Sequence, residues 1–279
     1  MLPKLGFSLE MEYDIPLDQV ISLLQAAGFS AVSPVWGQDL ALVADHIRTH
    51  NMTIQSLHAP PKGMAALWDL TRPESADLQK AMLASLEDCV TFAIGTLVVH
   101  GWQGHGYVFP DTPLDFTFWD TLVSRAGTLG VAIAFENLEG EEYLAALLDR
   151  YRDLPYIGFC WDTGHDRCYG HTMDFLAHYG HRLMMTHVND NFGVRGENYT
   201  SKDDLHLLPF DGNTDWHAQL ARLSNAREQE TLNFELKTRS HGIATYPHWA
   251  LEQYIAEAAK RAHRVAEIYE NVIIRKAPQ

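Results

Sequence analysis

Eight short apolar runs, most of them followed by a longer segment of helical periodicity, recur along the whole chain, and this alternation restricts the fold more than any other property. The candidate strands are KLGFSL near Leu5, FSAVSPVW ending at Trp36, TIQSLHAP around Leu57 and TLVVHGW around Val99, then VAIAFENL around Phe135, IGFCWDTGH around Phe159, MMTHVND around Thr186 and TLNFELK around Phe234. Between them, PLDQVISLLQAAG places Leu17, Val20, Ile21 and Leu24 on one helical face, with Pro16 at an early helix position and Gly28 as the stop. ADLQKAMLASLEDCVTFA, EEYLAALLDRYRDL, DWHAQLARLSNAR and the closing PHWALEQYIAEAAKRAHRVAEIYENV read the same way. Strands that are apolar throughout and alternate with helices imply a parallel sheet covered by helices. Eight such units in 279 residues is the size of a (β/α)8 TIM barrel. No GxGxxG turn follows the first strand, as a doubly wound dinucleotide-binding sheet would require. No Ser/Pro/Gly-rich linker interrupts the pattern, so residues 1–279 are expected to form one domain with that parallel eight-stranded barrel.

In such a barrel the functional residues stand at the C-terminal ends of the strands, where the following loops converge on one mouth. The polar residues of this sequence sort by that rule. His58 ends the third strand, His100 the fourth, Glu136 with Asn137 the fifth, Asp162 and His165 the sixth, His187 with Asp190 and Asn191 the seventh, and Glu235 the eighth. A lone strand-end histidine is most often a hydrogen-bonded structural residue, but six successive strands ending in metal-capable side chains are a different matter. Carboxylates that directly follow apolar residues, as in AFE, FCWD and NFE, are costly to desolvate unpaired, and a shared cation removes that cost.

Charge and cysteine content bound the partners. A formal charge of −15 disfavours long-range attraction to nucleic acid or anionic lipid. The N-terminal MLPKLGFSLEMEYDIP carries acids where a signal peptide needs an apolar core, and no apolar run approaches the roughly 18 residues of a membrane span. The three cysteines, Cys89, Cys160 and Cys168, form no CxxC pair, which fits reduced thiols. A cytoplasmic protein without membrane contact is therefore expected, acting on a small molecule rather than on nucleic acid.

The segments SLHAP, VVHGW, IAFENLEG, GFCWDTGHD, THVNDN, DDLHLLPFDGNTDW and NFELK together resemble the xylose-isomerase-like barrel superfamily. That superfamily includes sugar epimerases, inosose-handling enzymes and endonuclease IV. The likeness runs from the third strand to the eighth, and its specificity lies in the order and spacing of the series. In the ketose epimerases of the superfamily one metal is held by a Glu, an Asp, a His and a Glu, and these match Glu136, Asp162, His187 and Glu235. The resemblance implies proton abstraction next to a carbonyl through a metal-stabilised enediolate, with Glu136 and Glu235 as the acid–base pair. It assigns His165 to a substrate oxygen. The donor set suits Mn, Mg, Co or Zn as divalent ions. Trp36, Trp102 and Trp161 are candidate apolar walls for a sugar, or plain packing. Lys237, Arg195 and Arg239 are weak candidates to meet a substrate phosphate near the mouth, since no Gly-rich phosphate cradle is evident, and a phosphorylated substrate is not expected on that ground. The substrate is expected to be a sugar or polyol, and homo-oligomers are common in such barrels.

Two rival readings share these residues. Endonuclease IV uses three zinc ions, and its ligand types also match here: His58, His100 and Glu136 for one ion, the four residues above for another, and His165, Asp204 and His206 for a third. Phosphodiester hydrolysis is the reaction such a cluster serves. Against it, GFSLEMEYDIP lacks the His-containing first-strand loop of that nuclease, HAPPKGMAALW lacks its tyrosine, and HLLPFDGNTDW, ending in Asp215 and Trp216, is similar to the sugar-enzyme branch. A keto-cyclitol or keto-acid dehydratase would use the same enolate step followed by loss of hydroxide. A barrel that only binds would need a broken acid–base pair, and Glu136 and Glu235 are both present. The remaining ten histidines, His105, His171, His217 and His241 among them, read as surface or loop residues.

Overall fold

A computed structural model describes residues 2–10, 15–104, 109–240 and 243–276. The expected alternation is present as strands β1 (Lys4–Ser8), β2 (Ala31–Ser33), β3 (Thr53–Ile54), β4 (Leu57–His58), β5 (Thr96–His100), β6 (Ala132–Glu136), β7 (Ile157–Asp162), β8 (Leu183–His187) and β9 (Thr231–Phe234). The principal helices are α1 (Leu17–Ala26), α2 (Leu40–His50), α3 (Ser75–Thr91), α4 (Thr117–Leu129) and α5 (Glu141–Arg150). After them come the short α6 (His165–Cys168) and α7 (Phe175–Tyr179), then α8 (Trp216–Leu223) and α9 (Leu251–Lys276). The third expected strand is thus two short pieces, and Glu235 stands one residue beyond the end of its strand. Helices α2 and α4 cover segments that the sequence reading above does not single out.

Parallel pairing gives two curved sheets, in the order β3-β2-β1-β9 and β4-β5-β6-β7-β8. Isolated parallel bridges link their margins at Val35–His58 and Val188–Phe234. At the first, Trp36 N donates to His58 O at 2.8 Å; at the second, Val188 N donates to Asn233 O at 2.8 Å.

Side-chain alternation explains why these strands read as apolar throughout. Leu97 and Val99, Ile133 and Phe135, and Ile157, Phe159 and Trp161 join the large core under the helices. Their neighbours Val98, Ala134, Cys160 and Met185 form a separate buried cluster on the opposite face. Each of these four precedes a polar residue by two positions: His100, Glu136, Asp162 and His187. A period of two therefore stacks an apolar layer directly beneath a polar one, all of it at the C-terminal ends of β5 to β8.

The long α9 covers the outside with a stripe of Leu251, Tyr254, Ile255, Ala258, Ala259, Ala262, Val265, Ala266 and Tyr269, the three-and-four spacing of a core-facing helix. Helix α1 begins with Pro16 as its cap rather than inside the first turn, and Gly28 past its end has φ +101°, a conformation that costs glycine little. Among the described residues no helix is long and apolar enough to cross a membrane. The three cysteines are free and buried.

Candidate metal centre

Glu136 is the hub of the polar layer. Its Oε2 lies 3.3 Å from His58 Nε2 and 3.2 Å from His100 Nε2, and its Oε1 lies 2.9 Å from His187 Nδ1 and 3.3 Å from His165 Nδ1. His187 Nδ1 also approaches Glu235 Oε2 at 2.7 Å. A second focus forms around Asp204, whose carboxylate meets His165 Nε2 at 3.4 Å and His206 Nε2 at 3.0 Å and accepts the Tyr169 hydroxyl at 3.2 Å. Within each of three groups every donor atom lies within 4.8 Å of the others: His58, His100 and Glu136; Glu136, Asp162, His187 and Glu235; and His165, Asp204 and His206. A fourth group, Glu136, Cys160 and His187, satisfies the same distance and is not anticipated by the strand-end rule.

The histidines are oriented from behind. Nδ1 of His58 faces Ala59 O at 2.7 Å, His100 faces Pro61 O at 3.0 Å, His165 faces Asn137 O at 2.9 Å and His206 faces Glu235 O at 3.1 Å. A proton committed to each carbonyl leaves Nε2 with its lone pair turned toward a carboxylate oxygen, and such a pair is attractive only with a proton or a cation between them. Asp204 Oδ1 and Glu235 Oε2 are buried without a hydrogen-bond partner. Orphaned carboxylate oxygens beside imidazole lone pairs are the donor arrangement a divalent cation satisfies, so these residues fit a metal.

Electrostatics agree. Burial alone would raise the Glu136 carboxyl, but His187, His100 and His165 together outweigh it and hold the group well below the usual carboxylate range. For Glu235 burial is likewise outweighed, here by His187 and His206. Burial pushes Asp162 up to about 6, with His165 and His206 offsetting only part of the effect. Burial would lower His58, His165, His187 and His206, yet the facing carboxylates raise His58, His165 and His206, and Cys160 followed by Glu136 and Glu235 raises His187.

The DTGH and HVNDN motifs have a physical reason. Asn189 donates to Asp162 Oδ2 at 2.7 Å, while the backbone N–H of His165 donates to Oδ1 at 2.7 Å. Asn137 donates to Asp162 O at 2.9 Å and accepts from Asp162 N at 2.7 Å. Asp190 and Asn191, metal-capable by sequence, do other work. Asp190 accepts from Phe210 N at 2.9 Å, Gly212 N at 3.1 Å, Thr214 N at 3.3 Å and Trp216 Nε1 at 3.4 Å, tying down the loop before α8. The carboxylate clamp accounts for LLPFDGNTDW: Gly212 packs so tightly on Asp190 and Asn191 that a Cβ would collide with both. Asn191 donates to Gly164 O at 2.8 Å. The loop also holds His206 at φ +47°, a left-handed backbone maintained by the pairing of Leu207 with Asp190 and of Lys237 N with His206 O.

A cavity of about 370 Å³ opens over this layer and is lined by His58, His100, His165, Asp204, His206 and Glu235, with Glu10, Tyr169 and Lys237 in its wall. Lys237 Nζ pairs with Glu10 Oε2 at 3.0 Å. Trp102 is placed elsewhere: it stacks on Tyr143 with centroids 4.3 Å apart and lines a neighbouring cavity of about 640 Å³ that shares Gln103 with the first. Trp161 is wholly buried, and Trp36 donates to Asp88 at 2.8 Å, so both pack rather than line the histidine cavity. Arg195 is paired with Asp203 at 2.8 Å. His171 is a half-buried loop residue against Leu138 O and His217 is exposed on α8, while His105 and His241 lie outside the described residues. The strand-end rule, applied to β1, would have found Glu10; Tyr169 carries no such signal, since it follows α6 and reaches the site only through the loop.

Comparison with known proteins places this geometry in context. Residues 21–264 match a family model described as xylose isomerase-like TIM barrel. The uncharacterised protein y4fM of Sinorhizobium fredii (strain NBRC 101917 / NGR234) is 34% identical over 166 residues, 53% of this chain and 49% of that protein, so the match spans about half the length of that relative. The crystal structure of an IolI protein with a bound zinc atom is similar at a TM-score of 0.70 and 18% identity, covering 95% of this chain and 99% of that one. A structure of L-ribulose 3-epimerase is similar at a TM-score of 0.71 and 14% identity, covering 99% and 97%. Together these establish the TIM barrel fold.

Proposed function

Because the chain belongs to the xylose isomerase-like TIM barrel family, we propose that it is a single barrel domain, closed by eight strands, that isomerises or epimerises a ketose or related keto-polyol with bound divalent metal. The observation that carries this reading is the convergence of Glu136 and Glu235 on one imidazole nitrogen, His187 Nδ1, at 2.9 and 2.7 Å beneath an open cavity.

Glu136, Asp162, His187 and Glu235 would hold the principal ion, which we take to be Mn, Zn, Co or Mg, with the two histidine-rich groups able to hold up to two more. When bound, the cation supplies Lewis-acid polarisation of the substrate's carbonyl. Both glutamates are held ionised by their histidine neighbours, so either begins as a base. One takes the proton next to the carbonyl, leaving an enediolate and a protonated carboxyl; for epimerisation the other, once protonated by water in the cavity, gives that proton to the opposite face, and for isomerisation the first passes its own proton to the adjacent carbon. His165 and Lys237, both in the cavity wall, bind substrate oxygens. Trp102 is left out of the substrate-binding set because it faces the adjacent cavity. A cytoplasmic setting belongs to the same proposal.

The test is hydrogen exchange. In deuterated water the metal-loaded protein should wash deuterium into a ketose next to its carbonyl, and Glu136→Gln or Glu235→Gln should each abolish this. Exchange that survives both substitutions rejects the two-glutamate mechanism.

A second reading, an endonuclease IV-like trinuclear zinc phosphodiesterase, is favoured by one observation, the assembly of three ligand groups of which two share Glu136 and the third approaches it through His165 Nδ1 at 3.3 Å. It predicts three zinc ions per chain and cleavage of duplex DNA at abasic sites. A keto-cyclitol or keto-acid dehydratase would instead yield a dehydrated product after the same exchange.

A further inference from the structure

The cavity carries cations that the proton-transfer chemistry does not use. Lys62, Lys237 and Arg239 all line it, in a chain whose formal charge is −15. Lys237 is neutralised by Glu10, whereas Lys62 and Arg239, both exposed, have no ion-pair partner among the described residues. Among the described lining residues, the acids apart from Glu10 are Asp204 and Glu235, which belong to the candidate metal groups. Once ions occupy the two groups to which those acids belong, the charge the other described lining residues turn toward the cavity is positive.

The three cations are also held in register with the metal groups. Pro61 O, one residue before Lys62, receives His100 Nδ1 at 3.0 Å. The backbone N–H of Lys237 donates to His206 O at 3.0 Å, and Ser240, adjacent to Arg239, donates its hydroxyl to Asp204 O at 3.0 Å. Each cation therefore rides on backbone pinned to a different metal-group residue. A molecule whose carbonyl end reaches Glu136 and Glu235 presents its other end to this wall, within a cavity of about 370 Å³, at the small-ligand end of the usual range.

We propose that the substrate is an acidic keto-sugar whose terminal carboxylate is held by Lys62 and Arg239, with Lys237 and Glu10 shaping the wall between them and the metal groups. The inference rests on the isomerase reading for the position of the carbonyl. A carboxylate is favoured over a phosphate because the positive groups are side chains, the guanidinium of Arg239 matches a planar two-oxygen anion, and among the described lining residues there is no glycine loop and no helix start other than His165 of the four-residue α6.

D-fructose, D-fructuronate and D-fructose 6-phosphate share one keto-hexose skeleton and differ only at C6, so they serve as probes. Binding to the manganese-loaded protein is measured by calorimetry, and C–H exchange in deuterated water by NMR. Fructuronate is expected to bind at least about tenfold more tightly than fructose. In the double variant Lys62→Gln, Arg239→Gln that ratio should collapse toward one, and the charge-keeping Lys62→Arg, Arg239→Lys should restore most of it. A phosphate preferred over the carboxylate overturns the assignment in favour of a sugar phosphate. Equal binding of all three, binding of none, or a carboxylate preference that survives the neutral variant overturns it outright. Exchange into fructose without any acid preference defeats this inference and leaves the isomerase reading standing, whereas selective fructuronate binding with no exchange in any probe does the reverse.

Discussion

A side chain on Gly164 would collide with the carboxamide of Asn189, so the glycine of the DTGH motif is what allows that amide to reach Asp162. Asn189 donates to Asp162 Oδ2 at 2.7 Å, one of two hydrogen bonds that aim this carboxylate. Gly164→Ala should therefore displace Asn189 and misdirect Asp162. Loss of such an outer-shell partner typically weakens metal affinity about 10–100-fold, and the crowding costs about 1–3 kcal/mol of stability. Manganese titration and thermal unfolding read the two effects separately. Wild-type affinity in a destabilised Gly164→Ala protein would show that Asn189 does not position the ligand.

Asp190→Asn tests the loop clamp. Asp190 is wholly buried and accepts backbone N–H groups from Phe210, Gly212 and Thr214. An amide turns an NH2 group toward donors, leaving buried N–H groups unpaired, at a cost of about 3 kcal/mol. The midpoint in urea should fall accordingly, and because the same loop fixes His206, metal binding to the His165, Asp204 and His206 group should weaken with it. A variant of unchanged stability would exclude the clamp.

What was legible in the sequence follows from period and position. Strand ends such as AFE and FCWD expose their chemistry because the alternation of two is unmistakable, and His58, His100, Glu136, Asp162, His187 and Glu235 could be ordered by counting strands. Helix α2 was also written there, in the Asp39 cap and the Leu40, Val43, Ile47 face, whereas α4 starts at Thr117 behind Phe116, which offers no capping side chain. Sequence could not tell that Asp190 faces backbone amides while Asp162, of the same type and also at a strand end, faces histidines. Nor could it separate Trp102 from the histidine cavity, because both follow strands at the same mouth and only the stacking on Tyr143 decides its direction.

Metal binding should release protons and strengthen with pH. In the metal-free protein burial raises Asp162 to about 6, and the groups facing them, carboxylates throughout and Cys160 first at His187, raise His58, His165, His187 and His206. A cation must displace those protons, so affinity should climb from pH 5 through pH 6 and beyond. The sign for metal-free stability is opposite. Asp162, raised above its unfolded value, binds more protons folded than unfolded between pH 4 and 6, so its contribution falls as pH rises through that window. The raised histidines stabilise below their unfolded values, and that stabilisation is lost as pH rises through their folded ones. Glu136 and Glu235, held low, contribute above the usual carboxylate range and lose that contribution on acidification. Calorimetry at pH 7 in two buffers of different ionisation enthalpy should report net proton release. Uptake, or a heat independent of buffer, would contradict this.

The number of ions can be resolved group by group, because the three groups share few members. His58 and His100 serve only the group completed by Glu136, and His206 serves only the one with His165 and Asp204. In a protein saturated with zinc, His58→Ala with His100→Ala should lower the metal content by one ion if the first group is occupied, and His206→Ala by one if the last is. The four-residue group should keep its ion in both, since Glu136, Asp162, His187 and Glu235 remain. Elemental analysis after gel filtration gives the count. The same variants carry a stability signature: removing His58 and His100 takes both partners from buried Glu136 Oε2, and an uncompensated buried charge typically costs about 3–5 kcal/mol. That loss should be largest after chelation and smaller with zinc present, because the ion left in the four-residue group compensates Glu136. A variant that keeps every ion, or is equally destabilised with and without zinc, would show that His58 and His100 are structural neighbours of Glu136 rather than ligands.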